Sequence, residues 1–213
     1  MSESNDAIRV SVEKLVITTL SGVSVDLSEI YTRLEIQESM ASPAVSGRLE
    51  LEDEQDQSEL LPIIGQETLE VKLSIDDEFE TYRFRVYKVG NFENKNVRRI
   101  KYTLFFTTRD EVTNENVLVR TSFSNTKYSD MVQRIMKDFV FSEKNVRVAP
   151  TLTTGTRIIP NIRPYKAINQ LAANSVAEDG STGYIFFEGL DSFYFTPVSA
   201  FAQNSPIYTY RFY

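Results

Sequence analysis

Carboxylates are the one class of side chain whose grouping in this sequence could support catalysis. Glu50 to Glu59 reads ELEDEQDQSE, six acids with no base, and Asp76-Asp77-Glu78 places three more together. Two carboxyl groups flanking a scissile bond are the machinery of glycoside hydrolysis, and one of them needs a pKa raised by burial. Both stretches read as exposed polar loops, so neither offers that burial. The D-x-D-x-D-G spacing of a calcium loop is also absent. The plain reading of the acidic run is a solvated loop that keeps a sheet edge soluble. The sharper reading is a negative surface facing a partner or a channel.

Other chemistries lack their residues. The chain has no His, no Cys and no Trp. Nucleophile–base pairs built on His or Cys are therefore excluded, as are His/Cys zinc sites, thiolate chemistry and disulfides. No G-x-G-x-x-G and no G-K-[ST] is present, so no phosphate cradle is recognisable. Ser11-Val12-Glu13-Lys14 matches S-x-x-K formally. That motif should open a helix and be joined by S-D-N and K-T-G, whereas here it lies in an alternating strand. No catalytic, cofactor-binding or metal-ligating residue is assigned, and the chain is read as non-enzymatic.

A length of 213 residues allows one large domain or two small ones, and 41% apolar residues, rich in Phe and Tyr, suffice for a core. The net charge of −7 argues against a nucleic-acid-binding face. Arg83/Arg85 and Arg98/Arg99/Lys101 read as solvent-facing strand residues. MSESNDAIRV is polar and acidic, unlike a signal peptide. No apolar run approaches the roughly 20 residues of a membrane span. A soluble chain folded in a cytoplasm is expected.

The elements follow from periodicity. Residues 1–7 read as a disordered N-terminus. Alternation over Ile8, Val10, Val12, then Leu15-Val16-Ile17, predicts a strand with a turn at Ser21-Gly22. Ile30 to Gln37 and Val45 to Glu52 predict two more. Leu60 to Gly65 reads as a short helical turn with a Gly stop. The clearest strand has Leu69, Val71, Leu73 and Ile75 on one face. After a turn at Asp76–Glu78 it pairs with Tyr82, Phe84 and Val86, which places Glu70 and Lys72 within reach of Arg and Tyr side chains. Asn91 to Asn96 reads as a polar break before the strand Ile100, Tyr102, Leu104, Phe106. Six or so strands in about a hundred residues suggest a small antiparallel barrel or sandwich.

The period then changes. Met131, Val132, Ile135, Met136, Phe139 and Val140 form the stripe of an amphipathic helix, with Ser124, Asn125, Thr126 and Ser129 as candidate N-caps. Val146, Val148, Ile158 and Ile159 have strand character. A second helix opens at Arg163-Pro164, presents small residues from Ala167 to Val176 and stops at Gly180. Tyr184 to Phe187 and Phe193 to Phe195 make an aromatic hairpin. Tyr184, Phe186, Phe193 and Phe195 could stack sugars or bases, but such residues more often fill a core. Ile207 to Tyr213 begins a further strand.

In this order the elements resemble the baseplate hub proteins of contractile-tailed, T4-like phages and the related hub portion of type VI secretion spike proteins. The likeness rests on Asp26 to Ile30, on Leu60 to Glu67, on the helix Ile162 to Ala172, on Gly183 to Glu188 and on Phe193-Tyr194-Phe195. It implies a mainly β fold with an α+β insertion. Residues 8–110 would be a tail-tube-like antiparallel β-barrel, and 111–198 a small α/β domain with two helices and the hairpin. Residues 199–213 would start a second, incomplete tube-like barrel. It also implies function: a homotrimeric ring joining the central spike to the tail tube around a channel, contacting other baseplate proteins. DNA would only pass through, and no membrane would be entered. The location implied is the tail baseplate of a virion assembled in the host cytoplasm. Two other readings compete. A β-rich carbohydrate- or peptide-binding module would need an exposed aromatic platform. A two-carboxylate hydrolase would need a raised carboxyl pKa in a cleft.

Overall fold

A computed structural model describes residues 10–53, 64–75, 78–96 and 99–203. The expected disordered N-terminus, the turn at Asp76-Asp77, most of the acidic run and of the Leu60–Gly65 turn, and the strand at Ile207–Tyr213 lie outside them. The chain divides into two compact units, Met1–Gln37 with Val45–Val112, and Glu38–Ala44 with Thr113–Tyr213.

The first unit is one curled antiparallel sheet of seven strands: β1 (Val10–Thr18), β2 (Ser24–Asp26), β3 (Tyr31–Gln37), β4 (Ser46–Asp53), β5 (Thr68–Ile75), β6 (Glu78–Asn96) and β7 (Arg99–Thr108). Their order is β2-β1-β5-β6-β7-β4-β3. Period-two alternation puts Leu49, Leu51, Leu69, Val71, Leu104 and Phe106 fully inside. Phe84 and Phe106 meet with ring centroids 4.8 Å apart. Bulges in β1 and β3, and at three places between β6 and β7, add the local twist that a curled sheet needs.

Two expectations for this unit are corrected. Val10 and Val12 do not share the buried face: Val10 is 60% exposed, and a bulge between Val12 and Lys14 reverses the phase so that Leu15 and Ile17 point inward. Asn91 to Asn96 is not a break, because β6 runs on to Asn96. Asn91 takes a left-handed conformation (φ 55°) in a bulge of that strand. The turn at Ser21-Gly22 is followed by β2, a three-residue strand too short and polar to show as a period.

Helix α1 (Arg109–Asn116) begins in the first unit and ends in the second, which continues with β8 (Val119–Lys127), α2 (Tyr128–Ile135) extended by a π-turn at Met136–Val140, β9 (Asn145–Val148), β10 (Thr154–Ile162), α3 (Pro164–Ala172), β11 (Tyr184–Glu188), β12 (Ser192–Pro197) and a 3-10 turn at Val198–Gln203. Among the described residues helix α1 makes three α-helices where two are expected. Its sequence, RDEVTNEN, has no apolar stripe to reveal it. Strands β8 and β10 form a two-stranded ribbon, and β11-β12-β9 a three-stranded sheet with β9 parallel to β12. The expected stripe of α2 is buried through Met131, Val132, Ile135, Met136 and Val140. Ser199 to Gln203, placed at the start of a second barrel, are a 3-10 turn.

Helix ends also differ from expectation. None of Ser124, Asn125, Thr126 or Ser129 caps α2: the first three lie in β8, and the N-cap is Lys127 without a side-chain bond. The cap comes from afar, as Ser129 N donates to Thr151 Oγ1 at 3.1 Å. Helix α3 is treated likewise, with Tyr165 N donating to Asn114 Oδ1 of α1 at 2.9 Å. Its end comes before Gly180, at Ala172, where Ser175 Oγ and Asn174 Nδ2 donate to the carbonyls of Leu171 and Gln170. Those side-chain bonds replace the next turn, and Gly180 (φ +83°) serves a later turn.

Candidate assembly surfaces

Two carboxylates of the acidic run are used as ties. Glu50 and Glu52 stand on β4, not in a loop, and meet Lys101 at 3.1 Å and Arg99 at 3.0 Å on neighbouring β7. Asp53, on the same strand, is buried. Glu54, Asp56, Glu59, Asp76 and Asp77 lie outside the described residues, and Glu78 is exposed at the start of β6. Glu70 pairs with Arg83 across the β5–β6 hairpin at 3.0 Å, as the alternation predicts. Arg85 donates to Thr68 Oγ1 at 2.8 Å. Glu35 is held below its ordinary pKa, first by its hydrogen bond from Arg48, with the charges of Arg33 and Arg48 adding to it.

Two buried carboxylates carry no sequence signal. Glu188 is fully buried and accepts from Lys144 Nζ at 2.8 Å, while the same ammonium reaches the Gly189 carbonyl at 2.9 Å. Glu67 accepts backbone N–H groups of Ile64, Gly65 and Gln66 at 2.7, 3.0 and 3.0 Å. Both acids sit inside hydrogen-bond sets that close on the protein itself, an arrangement that holds turns in place. Among the described residues no group of three or more acids could hold a metal ion.

Tyr184, Phe186, Phe193 and Phe195 are buried: Phe186 and Phe193 pack against Tyr165 of α3, the first edge-on at 5.3 Å, and Tyr184 packs against Phe195. They are core, not a platform. The outer face of that sheet carries a cross-strand row, Phe187–Tyr194–Arg147, set by the pairing of β11, β12 and β9. Phe187 and Tyr194 stack at 4.9 Å and the Arg147 guanidinium lies 5.5 Å from the Tyr194 ring centre. Asp191 then accepts from Arg147 and from the Tyr194 hydroxyl, each at 3.2 Å. The Tyr194 ring is thus flanked by Phe187 on one side and Arg147 on the other.

What remains available is strand edge. β2 and β3 end the seven-stranded sheet, and among the described residues no ladder joins β2 to any strand but β1, or β3 to any strand but β4. β2 is three residues long, and β3 carries Arg33 and Glu35, which pair with each other. Short, charged edges are how a sheet limits indiscriminate pairing while staying open to a specific partner.

No family model matches the sequence, and no curated protein matches it. Solved structures do. A 43 kDa tail protein of prophage MuSo2 from Shewanella oneidensis superposes with a TM-score of 0.60 at 13% identity, over 86% of this chain and 53% of that one. The chain has the fold of a phage tail protein. A tail protein from Neisseria meningitidis gives 0.54 at 13% identity, over 85% and 49%. A PdpA–VgrG complex from Francisella gives 0.51 at 9% identity, over 96% and 31%. This tail-protein fold is mainly β, a curled antiparallel sheet followed by a small α/β region, as the order of elements implies. The chain spans about half the length of the two tail proteins.

Proposed function

We propose that this chain is a structural subunit of a phage tail baseplate hub and acts without catalysis. The observation that carries this reading is the fold, which it has in common with tail proteins over more than four-fifths of its length. In this reading residues 8–110 are a tube-like barrel domain, 111–198 an α/β domain, and 199–213 the start of a second tube-like barrel. The subunit is a homotrimer that joins the central spike to the tail tube, with other baseplate proteins around it, in the virion's contractile tail. It assembles in the host cytoplasm. The mechanism is geometric: the open β2 and β3 edges pair with neighbours, and the ring surrounds a channel through which DNA passes. An acidic wall would repel the DNA backbone and let it slide, in keeping with the net charge of −7.

The described residues favour this reading over the two competing ones. A carbohydrate-binding module lacks its platform, since the hairpin aromatics are buried or flanked within a row. Among the described residues Glu50, Glu52, Glu70 and Glu188 are all ion-paired, which disfavours a two-carboxylate hydrolase built on them. Negative-stain electron microscopy of the full-length gene product tests the proposal. Threefold rings with a central hole are expected. Monomers that stay monomeric when tube or spike protein is added would overturn it.

A further inference from the structure

The β8–β10 ribbon has a covered and an uncovered face. Val119, Phe123 and Ile159 are buried on the first. On the second, Ile158 is 75% exposed, the most exposed large apolar side chain among the described residues. The register sets Ile158 opposite Ser122 and Pro160 opposite Arg120. These residues, with Thr121 and Asn161, line an open cleft of about 590 Å³. An isolated two-stranded ribbon is marginal in water, so a face left this apolar gains from being covered.

The charge of the ribbon is opposite to that of the chain. β8 and β10 hold Arg120, Lys127 and Arg157 and no acid, in a protein with 23 basic and 30 acidic residues. Lys127 is tied to Glu178 at 3.5 Å, and Arg157 lies over the Tyr128 ring at 5.3 Å while donating to its hydroxyl. Arg120, at the cleft, makes no ion pair among the described residues.

We propose that this ribbon face docks an acidic peptide segment of another protein, with a carboxylate on Arg120 and an apolar side chain against Ile158 and Pro160. A guanidinium presents a planar fork of donors that matches a carboxylate. Thr121, Ser122 and Asn161 can bond the segment's backbone. A nucleic acid is the rival polyanion, but one uncompensated arginine on a chain of net charge −7 is too little for a phosphate backbone. The inference stands apart from the hub reading, because it needs only this face.

The test is an amide chemical-shift titration of the full chain with a short peptide alternating glutamate and valine. A lysine–valine peptide and an oligothymidylate serve as rivals. The expected result is shifts at Arg120 to Ser122 and at Ile158, Ile159 and Asn161 with the acidic peptide alone, weakening as salt rises. Arg120→Glu should lower affinity about tenfold, and Ile158→Ser several-fold. Both side chains are exposed, and an unchanged far-ultraviolet spectrum verifies each variant's fold. Shifts absent or elsewhere, equal binding of the lysine peptide, tighter binding of the oligonucleotide, or an Arg120→Glu protein with unchanged affinity would each overturn the proposal.

Discussion

The ring of Phe106 occupies the space where a side chain on Gly47 would stand. The two residues face each other across the β4–β7 ladder, and a Cβ at Gly47 would collide with the ring and with the Glu35 carbonyl of β3 on its other side. The sheet curls tightly here because glycine lets an aromatic ring lie flat on the backbone. Gly47→Ala should therefore destabilise by about 1–3 kcal/mol in chemical denaturation. Gly90→Ala is the control. A Cβ there meets nothing closer than 3.6 Å, so its stability should stay within about 0.5 kcal/mol of the parent.

Asn114 and Thr151 cap helices to which they do not belong. Asn114→Ala leaves the Tyr165 amide without its acceptor at the start of α3 and should cost about 1 kcal/mol. Thr151→Val does the same to Ser129 at the start of α2. Asn114→Asp keeps an acceptor and should retain most of the stability. Equal losses in Asn114→Asp and Asn114→Ala would show that packing, not capping, is what Asn114 supplies.

Burial, with the charge of Asp53 adding to it, pushes the Tyr102 phenol up to about 12 from 10.0. The folded state holds that proton more tightly than the unfolded chain does. The stabilisation is complete below pH 10 and is lost as pH climbs toward 12. In Tyr102→Phe the fall in stability across that window should be smaller, as read from denaturation midpoints at a series of alkaline pH values. An identical fall in both proteins would assign it to other groups.

Phe141 closes the π-turn with a left-handed backbone, φ 55°, while 63% of it faces solvent. A bulky L-residue there is strained, and its exposed ring recovers little by burial. Phe141→Gly should raise stability by about 1 kcal/mol. A loss on thermal unfolding would show that the ring contributes more packing than its exposure suggests.

Glu188 is fully buried, and the half-buried Lys144 supplies its cation. Lys144→Met leaves a carboxylate in the core without its cation and should cost about 3 kcal/mol. Adding Glu188→Gln should recover much of that loss. A double variant no better than the single one would mean that the lysine acts through packing instead.

The α/β unit shows which signals are local. The stripe from Met131 to Val140 announces its helix because a helix buries one face, and side chains at helical spacing must share it. The hairpin Tyr184 to Phe195 announces its strands in the same way. Helix α1 gives no such sign, since its seven polar residues and single valine form no apolar stripe. It is placed by Asn114 and Glu115, which bond Tyr165 and Arg163 some fifty positions away. The acidic residues were legible as a cluster but not as ion pairs. Whether Glu50 faces water or Lys101 depends on which strand lies beside β4, and that strand is β7, the nearest partner in space and not in sequence.

By itself the sequence determined the absence of His and Cys chemistry, the β-then-α/β order and most inward faces, because these follow from composition and from the two- and 3.6-residue periods. Only the tertiary structure decided where those periods change phase, as at the Val12–Lys14 bulge. It alone decided which distant side chain caps a helix, and that β8 and β10 leave an acid-free face uncovered. The physical reason is common to all three. Bulges, borrowed caps and exposed faces are settled by which backbone groups still need partners once the chain has closed, and no window along the chain contains that information.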